Sequence, residues 1–362
     1  MNVGIVGGGQ LGRMLATAGL PLGMHFTFLE PADGACARDV GRQIQLPYDD
    51  PEGLDALCKA SDVVTYEFEN VPVEVAKAIG RRRPIFPGPE ALRVSQDRLI
   101  EKRCFESLGI GVTHFAAVDS LAGLHNAVDT IGTPAVLKTR RFGYDGKGQF
   151  LLKTQGDIDA AWAALGKSPL ILEGFVDFKR EISCLGVRSR DGKTAFYPVS
   201  ENQHREGILR VARPHRRDPL QSMAEDYTER VMHRLDYVGL LAFEFFDTGN
   251  GLLGNEIAPR VHNSGHWSIE GAHCSQFENH VRAVAGLELG DPGLRSPCAM
   301  VNFIGNAPAI EALAKLPGTH PHLYGKSPRP RRKVGHATLI AEDDGTLTER
   351  VERLVAMLPP DH

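Results

Sequence analysis

Cysteine is scarce in this chain, with six in 362 residues: Cys36, Cys58, Cys104, Cys184, Cys274 and Cys298. They are dispersed, and none forms a C-x-x-C pair. A disulfide framework or a thiolate zinc ribbon is therefore not expected, and a reducing cytoplasm is. No apolar run approaches the roughly 18 residues that would cross a bilayer, so no membrane partner is expected. The opening MNVGIVGGGQLG has no basic segment ahead of its short apolar stretch and does not read as a secretory signal. Charge of one sign is also missing. Lys and Arg number 41 against 45 Asp and Glu, a formal net charge of −4, which gives no global basic field for nucleic acid. Internal repeats and low-complexity tracts are absent.

What is present is a chain too long for one ordinary core, so two or three domains are expected. The first third repeats one rhythm. Asn2–Val6 reads as a strand, then come a glycine turn and a helix carrying Leu11, Met14, Leu15 and Ala18. His25–Glu30 reads as a strand, 51–60 as a helix, Asp62–Glu67 as a strand and Pro72–Ile79 as a helix. Alternating strands and helices imply a parallel sheet covered on both faces. The proline-rich, basic RRRPIFPGPE (81–90) closes this unit near residue 95. Further on, 96–108, 219–236 and 275–286 read as helices. Ala135–Thr139, Pro169–Glu173, Glu181–Val187, 240–246 and 252–257 read as strands. Beyond about residue 290 the signals shorten, and GKSPRPRRKVGH (325–336) is a dense basic stretch.

Gly7, Gly9 and Gly12 satisfy G-x-G-x-x-G between a strand and a helix, and Glu30 ends the next strand, where a ribose-binding acid would sit. Alone this is weak evidence for a dinucleotide. Any close-packed strand-to-helix turn needs such glycines, and its N–H groups suit any anion.

The stronger constellation lies in the middle. Lys138 ends the apolar run PAVLK, where an ammonium can meet phosphate oxygens. GYDGKGQ (143–149) follows, with three glycines within six residues and Lys147 among them, a loop able to wrap phosphates. Glu173 and Glu181 flank a strand junction. Glu244 in LAFEFF and Glu256 in GNEIAPR, beside Asn255, lie on neighbouring strands and could face one way as oxygen ligands for a hard cation. Solvated glutamates are the plainer alternative, against which stand their apolar neighbours. APRVHNSGHW (258–267) then packs Arg260, His262, Asn263, Ser264 and His266 into seven positions. It reads either as a surface loop or as a substrate cradle; the His262/His266 spacing alone is a poor zinc signature.

These segments together resemble the ATP-grasp superfamily. Within it, GGGQLGRM (7–14), GYDGKGQ, FYPVSENQHREGIL (196–209), NEIAPRVHNSGHW (255–267) and RKVGH (332–336) resemble the N5-carboxyaminoimidazole ribonucleotide synthetase family, in order along nearly the whole chain. The resemblance implies a mixed α/β and α+β chain with an ATP-grasp fold. Residues 1–95 would be a Rossmann-like parallel-sheet domain, 96–290 the ATP-grasp domain with a mobile lid at about 115–175, and 291–362 a small C-terminal domain. It implies a cytoplasmic homodimer that carboxylates 5-aminoimidazole ribonucleotide with bicarbonate and ATP, using two magnesium ions, in purine synthesis. By the same resemblance, ATP meets Arg98, Lys138, Gly143, Gly146, Lys147, Gly148 and Gln149. Glu173, Gly174, Phe175 and Val176 form a hinge receiving adenine through its backbone. Glu181 holds the ribose, with His204 and Asn255 nearby, and Glu244 and Glu256 hold the metal. The ribonucleotide meets Gln10, Leu11, Glu67, Asn263, Ser264, Lys326, Arg332 and Lys333. Tyr144, Asp145, Arg260 and His262 stand at the chemistry, with Asp145 handling the proton. Position 147 departs from the family, being lysine where relatives often carry arginine, so a bidentate contact becomes a point charge. A formate-dependent glycinamide ribonucleotide formyltransferase, an NAD(P) oxidoreductase built on the first turn, and a binding protein without turnover remain as alternatives.

Overall fold

The computed structural model describes residues 1–143 and 147–359. Among these residues the strands form three sheets. The N-terminal sheet holds β1 (Asn2–Val6), β2 (His25–Leu29), β3 (Arg42–Ile44) and β4 (Val63–Tyr66), all parallel in the order β3-β2-β1-β4. Gly7 ends β1 at φ +104°, a backbone state that a side chain would strain. The helix Gln10–Gly19 starts from that turn and buries Leu15 and Ala16. Asp50, accepting from the Gly53 N–H, and Pro51 start the helix Pro51–Ala60.

A second sheet collects β5 (Phe115–Val118), β6 (Ala135–Thr139), β7 (Gln149–Leu152) and β8 (Leu170–Gly174), antiparallel in the order β5-β8-β6-β7. The helices Leu121–Ile131 and Ile158–Leu165 cover it, giving it a separate apolar core around Leu124, Leu137 and Leu172. Its tie to the rest is polar: Arg140 forks onto Asp97 at 3.0 and 2.7 Å, and Asp97 also caps the helix Arg98–Ser107.

The large central sheet holds β9 (Arg180–Arg188), β10 (Thr194–Phe196), β11 (Ser200–Arg205), β12 (Ile208–Pro214), β13 (Gly239–Asp247), β14 (Leu252–Ala258), β15 (Cys298–Ile304), β16 (Thr319–Leu323) and β17 (Lys333–Ile340). Its order is β14-β13-β9-β11-β12-β15-β17-β16, with β10 on β9. The helix Gln276–Ala285 lies between this sheet and the helix Gln10–Gly19, so Val3, Ile5 and Phe28 share one core with Leu185, Leu240 and Phe277. His280 stitches the two sheets, with Nε2 2.9 Å from the Thr65 hydroxyl and Nδ1 accepting from the Leu240 N–H at 3.1 Å.

The C-terminal region corrects one expectation. Its elements are not short: β15 and β17 have 7 and 8 residues, and the helix Asp344–Val355 has 12. The basic run before Lys333 obscures an apolar strand, VGHATLI. These strands extend the central sheet while the helix packs Leu347 and Leu354 over a small core of their own. Among the described residues, no helix is long and apolar enough to cross a membrane.

Candidate active site

Strands β13 and β14 put Glu244 directly opposite Glu256. Phe243 and Phe245, on the other face, pack with each other and with Phe105, which turns Glu244 and Phe246 toward a cleft of about 400 Å³. Burial first, then the charge of Glu256, pushes the Glu244 carboxyl up to about 7. Burial acts on Glu256 as well, but Arg98, with Nη1 2.7 Å from Oε2, holds it below the usual carboxylate range. Beside them the Asn255 side-chain oxygen is buried without a hydrogen-bond partner. Two facing carboxylates and an orphaned carbonyl oxygen fit a hard divalent cation. Among the described residues, no group of three or more His, Cys, Asp or Glu could hold a metal unaided. Two carboxylates and one amide oxygen leave coordination positions open for further oxygen ligands, the kind of site at which magnesium usually joins nucleotide phosphates and water.

The second sheet supplies a cationic wall. Lys138 points its ammonium to Glu173 at 2.8 Å, and the wholly buried Lys102 approaches the same oxygen at 3.7 Å. Burial works against ionisation of Glu173, but Lys102 and Lys138 outweigh it and hold the carboxyl at about 2. Lys102 also donates to the carbonyls of Gly254 and Asn255 at 3.0 and 2.9 Å, tying this charge cluster to the end of β14. Glu101, next to it, accepts the Ile257 N–H at 2.8 Å; burial, then Glu256, raises its carboxyl to about 8.

The run after β14 folds across the same cleft as an irregular segment with one 3₁₀ turn at Asn263–Gly265. Arg260 donates from Nε to a Glu69 carboxylate oxygen and from Nη1 to the Val261 carbonyl at 3.0 Å; against its burial, Glu69 is held at about 2 by that partner. His262 places Nε2 3.4 Å from Glu244, and burial, then Arg260, lowers its pKa well below the usual imidazole value. Asn263 exchanges amide hydrogen bonds with Asn302 at 3.0 and 2.7 Å. His204 pairs with Glu181 on the adjoining strands; that contact raises the histidine's pKa, overcoming burial. On the rim, Lys326 donates to the Gln10 side chain, with Arg332 and Lys333 among the charges acting on it.

Of the residues singled out from the sequence, the cleft is lined by Gln10, Leu11, Arg98, Lys138, Gly143, Lys147, Gln149, Glu181, His204, Glu244, Asn255, Glu256, Arg260, His262, Asn263 and Lys333. Tyr144, Asp145 and Gly146 lie outside the described residues. Several others are not on the cleft wall. Glu67 is buried as a helix cap, accepting from the N–H groups of Gly9 and Gly12, the latter at 2.6 Å. Glu30 accepts from the Gly8 N–H at 2.9 Å and from the Tyr48 hydroxyl at 2.7 Å. The chain's own carboxylates thus fill the anion-binding donors of the glycine turn, which removes the physical basis for a dinucleotide there. Glu173 is committed to its lysines. The Gly174 N–H goes to His114 O, the Gly174 carbonyl accepts from Thr113, and the Phe175 N–H goes to Pro134 O, so these hinge groups are spoken for within the chain. Val176 and Gly148 also lie off the wall, as do Lys326 and Arg332. Arg332 donates to Ser327. Ser264 is fully buried behind His262.

Glu69, Glu101, Lys102, Arg140 and Phe246 also belong to the site, though no motif in the chain marks them. Glu101 and Lys102 sit in RLIEKR, which reads as a solvated charge run, yet both are about 1% exposed. Only their lodging between Leu99 and Phe105, on a helix facing β14, hints at burial.

Three comparisons bear on this site. Residues 1–96 match the ribonucleotide synthetase preATP-grasp domain, 103–277 the ATP-grasp domain, and 298–350 the phosphoribosylaminoimidazole carboxylase C-terminal domain. The N5-carboxyaminoimidazole ribonucleotide synthase of Pseudomonas aeruginosa is 52% identical over 358 residues, covering 99% of each chain. The crystal structure of the synthetase from Thermus thermophilus superposes with a TM-score of 0.94 at 50% identity, covering 98% of each chain. The enzyme from Aspergillus clavatus, in complex with ADP and 5-aminoimidazole ribonucleotide, has a TM-score of 0.91 at 29% identity and 98% coverage of each.

Proposed function

The chain belongs to the N5-carboxyaminoimidazole ribonucleotide synthase family, and from that premise we propose how its cleft performs the family's ligase reaction. Bicarbonate is joined to the exocyclic amine of 5-aminoimidazole ribonucleotide, forming a C–N bond, while ATP is cleaved to ADP and phosphate in purine synthesis. A bicarbonate oxygen attacks the γ-phosphorus and ADP leaves, forming carboxyphosphate. The amine nitrogen then bonds to the carboxyl carbon, phosphate departs and one proton is lost. The observation that carries the reading is the facing pair Glu244 and Glu256, with the orphaned Asn255 oxygen, in one cleft with Lys138 and Lys147.

Glu244, Glu256 and Asn255 would hold magnesium, which when bound neutralises charge during phosphoryl transfer. Arg98, Lys138 and Lys147 bind the phosphates. Glu181 and His204 take the ribose side of the nucleotide, and Phe246 offers an apolar face beside it. Arg260, His262 and Asn263 hold bicarbonate and the imidazole. Gln10 and Leu11 meet the ribonucleotide, whose 5′-phosphate is drawn by Lys326, Arg332 and Lys333. Tyr144 and Asp145 meet the amine, and Asp145 takes its proton. The flap 143–149 keeps water from carboxyphosphate, which otherwise hydrolyses. The reading carries with it two magnesium ions, a homodimer and a cytoplasmic location. ADP release tests it: turnover is expected with aminoimidazole ribonucleotide plus bicarbonate, and turnover only with glycinamide ribonucleotide plus formate would overturn it.

A further inference from the structure

Behind His262 lies a line of hydroxyls that the proposed chemistry does not use. Ser183, on β9 and fully buried, has its Oγ 2.7 Å from Ser264 Oγ, also fully buried. Ser264 Oγ is 2.9 Å from His262 Nδ1. The Ser264 backbone N–H also points at Nδ1, at 3.3 Å. A backbone N–H can only donate, so Nδ1 must be the bare, accepting nitrogen. The ring proton then sits on Nε2, which faces the cleft and Glu244. The Ser264 hydroxyl must likewise donate to Nδ1, leaving its lone pairs to accept from Ser183. The direction of every hydrogen bond along the line follows from one backbone amide.

We propose that Ser183 and Ser264 are positioning residues that lock His262 in the Nε2-protonated tautomer, so that in the carboxylation this ring donates a hydrogen bond to the anion in the cleft and does not take the amine's proton. The inference rests on the ligase reading for its use, but not for its geometry. A ring whose Nδ1 is already twice engaged presents only a donor at the cleft. Bicarbonate and carboxyphosphate are anionic acceptors, and a fixed Nε2–H needs no reorganisation to meet them.

The test uses the full chain, labelled with ¹⁵N-histidine and free of substrates. Two-bond ¹H–¹⁵N correlation, assigned through the Ser264 amide, should show His262 protonated at Nε2 alone. In the Ser183→Ala/Ser264→Ala variant it should show exchange between the two tautomers. An Nδ1-protonated wild-type ring would overturn the proposal. The kinetic arm compares His262→Gln with His262→Asn. The glutamine amide can stand near Nε2 and the asparagine amide near Nδ1. Turnover at saturating ATP should be at least about tenfold higher in the glutamine variant, the worth of one hydrogen bond to a charged group. Equal turnover, or more in the asparagine variant, would also overturn it. Far-UV circular dichroism checks both for folding, and the wild-type spectrum decides the tautomer if either fails to fold. An inactive wild type with the stated tautomer would instead sink the ligase reading and leave the tautomer lock standing.

Discussion

Replacing Glu173 by glutamine removes the carboxylate that Lys102 and Lys138 share. Glu173 is 3% exposed and its carboxyl is held at about 2, against an ordinary value of 4.5. At about 1.4 kcal/mol per pKa unit, this corresponds to about 3 kcal/mol of stability at neutral pH. Because the folded-state pKa is depressed, that contribution is full above about pH 4.5 and is lost as pH falls through about 2. A second route gives a similar figure: breaking a buried ion pair by removing one partner costs about 3–5 kcal/mol, since the other charge is stranded. Here the stranded group is Lys102, whose own pKa burial already lowers. It can shed its proton, which keeps the loss near the lower figure. Urea denaturation at pH 7 should therefore show Glu173→Gln destabilised by about 3 kcal/mol, and the gap to wild type should narrow toward pH 3. Glu173→Gln/Lys102→Met should recover at least about half of the loss, because the wholly buried ammonium then goes with its partner and only Lys138, on the cleft wall, keeps a charge. A single variant within about 0.5 kcal/mol of wild type, or a double variant worse than the sum of its parts, would refute the argument.

Other consequences are equally direct. Glu256→Gln should lose most of its turnover, about a hundredfold or more, as magnesium and phosphate alignment weaken and Arg98 loses its partner; steady-state ADP release measures it. Magnesium binding to the ADP complex should release a proton near pH 7, because Glu244 is pushed up to about 7 and must ionise to bind a cation. The sign is that apparent affinity falls as pH drops below about 7; calorimetry in two buffers should detect the proton in wild type and lose it in Glu244→Gln. Lys333→Ala should chiefly raise the KM for the ribonucleotide, and an effect confined to the KM for ATP would mean that the phosphate pocket lies elsewhere. Titration with NADH should give no saturable binding, since Glu67 and Glu30 already occupy the turn's donors.

Much of the site could be read from residue order because its chemistry is compressed into short runs. In LAFEFF, Glu244 alternates with Phe243 and Phe245, and Glu256 falls opposite it when the strands pair; the bulge that also brings Asn255 to the cleft has no signature in GNEIAPR. GYDGKGQ and APRVHNSGHW carry polar groups no core would tolerate without a purpose. Residues whose role depends on which element covers them stayed hidden. Glu101 and Lys102 look like surface charges until β14 packs over their helix. Ser264 sits among cradle residues in the chain but turns inward to β9. Glu67 ends a strand in the position of a ligand contact, yet the helix Gln10–Gly19 begins close enough to claim its carboxylate. The C-terminal strands were obscured by the basic run that precedes Lys333.

A crystal grown with ADP, magnesium and 5-aminoimidazole ribonucleotide bears on the whole account at once. Metal density is expected between Glu244, Glu256 and the Asn255 oxygen, with the β-phosphate on its far side, Lys138 moved off Glu173, and the ribonucleotide lying toward Gln10. Metal bound away from those two carboxylates, or a nucleotide seated in the first glycine turn, would contradict it.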